Sequence, residues 1–103
     1  MWINIEIEGD LEISTNKDGG VIIIGNPSGL KSLARIVKEI ADYDQEKDKG
    51  LPVGERTHVH LNPKLHKDYN GTTAFSVSTE ICRLDAKGTG EYPKKYKELK
   101  NKL

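Results

Sequence analysis

The segment Arg56-Thr57-His58-Val59-His60-Leu61 alternates apolar and polar side chains, so a strand there projects His58 and His60 from one face. Imidazoles two apart on a strand serve in metal sites that gather further ligands from elsewhere. His66 and Asp68 downstream, or Glu80 and Cys82 on a neighbouring strand, are the residue types available. Two ligands do not make a site, and neither CxxC nor HExxH accompanies the pair. Ring packing and hydrogen bonding on a strand face is the simpler reading, so no metal and no cofactor is expected. The alternative is a metal-binding domain or metal-dependent enzyme using His58 and His60, with His66 as a third ligand.

Nucleophilic chemistry would need Cys82 beside a base and a carboxylate, because the thiolate is the reactive form. The chain contains those types but no motif that arranges them, and a lone cysteine in an apolar-rich strand reads as inert. Gly25-Asn26-Pro27-Ser28-Gly29 precedes a helical pattern and lacks the spacing of a phosphate-binding loop, so helix capping explains it. Lys94, Lys95, Lys97, Lys100 and Lys102 interleave with Tyr92 and Tyr96, a combination that can contact nucleic acid. Glu91 and Glu98 dilute it, and a solvated tail is expected instead. No catalytic constellation is complete, so the chain reads as a binding protein and not an enzyme.

A second group of polar residues stands out at the start of the chain. Ile3, Ile5 and Ile7 alternate with Asn4, Glu6 and Glu8, and Leu11 and Ile13 resume the apolar beat after Gly9-Asp10. Folded as a hairpin that keeps the isoleucines inward, this places Glu6, Glu8 and Glu12 in a row on the outward face. Such a row suits a cationic partner, and also suits a sheet that must stay soluble.

The elements that would position these residues follow from periodicity and punctuation. Asn16 to Gly20 contains Asp18-Gly19, a hairpin turn signal, and Val21 to Ile24 is the returning strand. With a two-residue turn, Thr15 faces Ile22 and Ile13 faces Ile24. Asn26 as N-cap and Pro27 at the first helical position open a helix to about Asp42. Leu30, Leu33, Ala34, Val37, Ile40 and Ala41 form its apolar stripe, with Ile36 at the margin. Tyr43 to Glu55 reads as a mobile surface loop. Arg56 to Leu61 is a fourth strand, Asn70-Gly71 a turn, and Thr73 to about Leu84 a fifth strand. The segment from Tyr92 to Leu103 is either a docked helix or a frayed tail.

The expected architecture is therefore a single α+β domain over residues 1–103. An antiparallel sheet of about five strands in the order β-β-β-α-β-β carries one main helix on one face, and a short Lys-rich segment ends the chain. The expected core is Ile3, Ile5, Ile7, Leu11, Ile13, Ile22, Ile24, Leu30, Leu33, Val37, Ile40, Val59, Leu61, Phe75, Val77 and Ile81.

At 103 residues the chain suffices for one modest core. Its single cysteine excludes an internal disulfide and points to a reducing, cytoplasmic setting. The first residues carry no export signal, and no apolar run spans a membrane. The 16 basic and 16 acidic residues balance overall, yet they are unevenly placed. Up to Glu55 there are six Lys/Arg and eleven Asp/Glu; beyond it, ten and five. An acidic first half can steer encounter with a basic partner.

Three blocks in order resemble the small bacterial immunity proteins of polymorphic toxin systems, in particular the immunity protein 32 family. They are Gly25-Asn26-Pro27-Ser28-Gly29-Leu30 followed by Leu33-Ala34, then His58-Val59-His60-Leu61 with the proline at 63, and Arg83 to Pro93 (RLDAKGTGEYP). Together they lie within about residues 20 to 93. The resemblance implies a cytoplasmic protein that binds and neutralises a cognate toxin protein without catalysis; the chain's own composition adds the expectation of no membrane partner and no nucleic-acid partner. It transfers no contact residues. Those expected from the chain's own chemistry are Glu6, Glu8 and Glu12 for electrostatics, with His58 and His60 as polar anchors.

Overall fold

The structure is a computed structural model that describes residues 2–64 and 71–102, with side chains as far as 99. Its elements are β1 (Leu11–Thr15), β2 (Val21–Gly25), α1 (Pro27–Asp42), a 3-10 turn (Gln45–Lys47), β3 (His58–Leu61), β4 (Thr79–Cys82) and α2 (Lys94–Lys102). The α+β class holds. The single five-stranded sheet does not: among the described residues β1 pairs with β2 and β3 with β4, both antiparallel, in two separate sheets.

Two local rearrangements explain why one sheet becomes two. The segment of Ile3, Ile5 and Ile7 is not a strand on β1 but lies along α1, whose side chains hold its backbone. Ser32 Oγ accepts from the Glu8 N–H at 2.9 Å. The Arg35 guanidinium donates to the carbonyls of Asn4 and Glu6 at 2.8 and 2.9 Å. The β1 edge that the segment would have used is taken by residues 73–77. Thr73 N–H donates to Leu11 O and Val77 N–H to Ile13 O, each at 2.8 Å. Between them Ser76 Oγ accepts from the Ile13 N–H at 3.0 Å. A turn closed by the Ser76 N–H bond to Thr73 O at 3.0 Å interrupts this stretch, and the fifth strand is confined to β4.

The β1–β2 hairpin forms where the Asp-Gly signal placed it, in a different register. Thr15 pairs with Val21 and Ile13 with Ile23, one residue away from the two-residue-turn expectation. Asn16 is the cause. Its side-chain oxygen accepts from Asp18 N–H and Gly20 N–H at 3.0 and 2.8 Å. This favours a three-residue loop closed by Gly19 at φ +80°.

In α1 the capping prediction is met: Asn26 Oδ1 accepts from Gly29 N–H at 2.8 Å, and Pro27 occupies the first turn. The buried face differs, however. Gly29, Ser32, Ile36 and Ile40 face inward, while Leu30 and Val37 are exposed. The contact with residues 8–10 decides this rotation. A Cβ on Gly29 would sit 1.9 Å from the Asp10 carbonyl oxygen, so only glycine admits that approach. Docking the helix there swings Ile36 into the core.

The core cluster comprises Ile7, Leu11, Ile13, Ile36, Ile40, Val59 and Leu61, with Ile3, Ile5, Leu33 and Ile81 partly buried around it. Of the expected core, Ile22, Ile24, Leu30, Val37, Phe75 and Val77 are exposed instead. The expected mobile loop after Tyr43 is tied down. Gln45 is buried, its Oε1 accepting from Thr57 N–H and Oγ1–H and its Nε2 donating to Asp85. Arg83 donates to Tyr43 O, Gly88 N–H donates to the Glu46 carboxylate, and the Lys87 ammonium caps the carbonyls of Asp48 and Leu51. The Asn70-Gly71 turn rests partly on Asn70, which lies outside the described residues. The tail forms helix α2, with Tyr96 and Leu99 exposed.

Candidate functional site

Strand period and register together assemble a polar face on the β3–β4 pair. In β3, Val59 and Leu61 point inward and are buried, which turns His58 and His60 outward. In β4 the register sets Glu80 opposite His60 and Cys82 opposite His58, so all four share that outer face. Ile81, opposite Val59, packs against the core. The histidine rings meet edge to face, with centroids 5.2 Å apart. His58 Nδ1 lies 2.9 Å from the Arg56 carbonyl oxygen. A carbonyl only accepts, so Nδ1 is the donor in this contact, and Nε2 carries the lone pair when the ring is neutral. His60 and Glu80 are exposed.

Cys82 is free and exposed, and its Sγ–H donates to Arg83 O at 3.2 Å and not to an imidazole. Burial, with the Glu80 carboxylate adding to it, pushes its thiol pKa up. That is the reverse of what an activated nucleophile needs. His66 and Asp68 lie outside the described residues.

The acidic row does not exist as a row. Glu6 and Glu8 are exposed on the segment beside α1, whereas Glu12 is half-buried on β1 and accepts from Thr73 Oγ1 at 3.2 Å. Because residues 2–8 never pair with β1, nothing aligns the three carboxylates on one sheet face. What sequence reasoning missed lies next to them. All four aliphatic residues of β2 are exposed: Val21 at 65%, Ile22 at 39%, Ile23 at 51% and Ile24 at 58%. Among the described residues no strand pairs with the outer edge of β2. The signal was present, since four consecutive apolar residues in a strand make both faces apolar and a single helix covers only one. Leu30 of α1 adds to this surface, lying against Gly25 at the end of β2. Asp10 and Glu12 border it, Asp10 through the Asn26 N–H bond to its carbonyl and Glu12 opposite Ile24. An apolar strand edge with carboxylates beside it is suited to contact with another protein.

Among the described residues no helix is long and apolar enough to cross a membrane. Neither a curated protein nor a solved structure matches the sequence. A family model described as immunity protein 32 does, over residues 20–82. That span begins at Gly20, just after the hairpin loop, and takes in the exposed strand β2, α1 with its Asn26 cap, and the whole β3–β4 pair. Since it covers well over half of the chain, and contains the first two of the three blocks that suggested the family, the chain belongs to the immunity protein 32 family.

Proposed function

We propose that this chain neutralises a cognate bacterial toxin in the cytoplasm by binding it and covering its working surface, without turnover. Family membership over residues 20–82 is the observation that carries the reading. The exposed aliphatic strand β2 supplies the apolar centre of the contact, and its free edge can accept a strand from the toxin. Glu12 and Asp10 at its border, with Glu6 and Glu8 on the neighbouring segment, give the contact a negative rim. The partner surface is therefore basic. His58 and His60 serve as polar anchors on the β3–β4 face.

The experiment is co-purification of the chain with the product of the adjacent toxin gene, followed by association kinetics. A complex at micromolar concentration is expected. Substituting Glu6→Lys and Glu8→Lys together slows association by roughly tenfold at low salt, with little change in dissociation. Absence of a complex defeats the proposal, and unchanged association kinetics removes the carboxylates from it.

A further inference from the structure

We propose that the outer face of the β3–β4 pair binds a divalent transition-metal ion of the zinc class through His58, His60 and Glu80. One ligand atom from each of the three residues lies within 4.8 Å of the others. Ligands around a tetrahedral zinc with bonds near 2.1 Å stand about 3.4 Å apart. The remaining closure is small, and His60 and Glu80 are exposed on strands that leave their side chains free to turn. The backbone contributes the larger part: the β3–β4 register puts His60 directly across from Glu80, and strand period puts His58 on the same side.

A second observation points to a metal and not merely to two packed rings. The Arg56 carbonyl holds the His58 ring through Nδ1 at 2.9 Å, so in the neutral ring Nε2 is the nitrogen available to an ion. Metal-ligating histidines are held in this way, with the far nitrogen bonded to a carbonyl and the near one presented to the ion. Two imidazoles and one carboxylate form a borderline-soft set that favours zinc, copper or nickel over calcium or magnesium. Three protein ligands at an exposed face leave a coordination position open to solvent or to a group from another molecule. Cys82 is opposite His58, but its thiol is engaged with Arg83 O and lies outside the cluster.

The test uses the full chain without an affinity tag, and it is independent of toxin binding. Zinc chloride is titrated in and followed by calorimetry, and cobalt(II) is added separately for its visible spectrum. One ion per chain is expected, with an intense low-coordinate cobalt spectrum. His60→Ala and Glu80→Gln, both at exposed positions, should each weaken zinc binding by roughly tenfold or more while the circular dichroism stays unchanged. Cys82→Ser should leave the affinity within about twofold. Absence of stoichiometric zinc binding by the native chain overturns the proposal. So does binding that survives both His60→Ala and Glu80→Gln, or that is lost only on His66→Ala or Cys82→Ser.

Discussion

Single side chains do much of the joining in this protein, because two two-stranded sheets supply few ladder bonds between distant parts of the chain. Asp48 is one such joint. Its Oδ2 accepts from the Tyr43 hydroxyl at 2.7 Å and its Oδ1 from the Gly50 N–H at 2.9 Å. The Tyr43 hydrogen bond is the largest cause holding the carboxyl at a pKa of about 2, below its ordinary 3.8. The same bond raises the pKa of Tyr43. Because the folded pKa is depressed, the contribution to stability is fully present above the unfolded value and is lost as pH falls from 3.8 through about 2. Tyr43→Phe should therefore move the Asp48 midpoint upward toward the ordinary carboxylate value, measured by carboxyl-carbon NMR titration. An unmoved midpoint would show that the hydroxyl is not what holds it. Residues of this kind were hard to read from sequence. Nothing in Tyr43 to Glu55 marks Gln45 as the buried hub joining Thr57 to Asp85, since glutamine in a charged stretch reads as solvated until its partners, 12 and 40 residues away, are known.

At the scale of elements, local signals were legible and distant competition was not. The Asn26 cap, Pro27, the Asp18-Gly19 loop and the alternation of His58 to Leu61 depend on neighbours a few residues away, and each specifies its element. The five-stranded sheet failed because a strand edge goes to the best bidder in three dimensions. Ser76 and the backbone of residues 73–77 occupy the β1 edge, and α1 captures Ile3 to Glu8 through Ser32 and Arg35. The helix face was misread for a related reason: apolar count favoured Leu30 and Val37, but the close approach of Gly29 to Asp10 sets the rotation. The candidate site was half legible, its histidines through spacing and Glu80 only through register. The helix assignment makes a direct prediction. Ile36 is fully buried and Val37 is 45% exposed, so Ile36→Ala should cost about 2–4 kcal/mol and Val37→Ala less than about 1 kcal/mol. Urea unfolding of both variants measures this, and a larger loss for Val37→Ala would reverse the assigned face.

The molecule as a whole leaves much of its apolar surface uncovered. Its Cα radius of gyration is 15.7 Å, against about 13 Å for a compact domain of this length. Its buried aliphatic cluster is modest, while β2, Leu30 and Val37 lie open. A chain that exposes such a surface gains stability when a partner binds the folded form. For the proposed toxin at concentrations near 100 times Kd that gain is about 2.7 kcal/mol. For a domain of about 100 residues it corresponds to a Tm increase on the order of 10 °C. Substituting Ile22→Lys together with Ile24→Lys should leave the Tm of the free chain nearly unchanged, since both residues are exposed. The same substitutions should remove most of the toxin-induced increase, because lysines on β2 replace its apolar contact and meet a basic partner with like charge. Differential scanning fluorimetry of the native and doubly substituted chains, each with and without toxin, makes the comparison. An undiminished increase in the variant would move the interface away from β2.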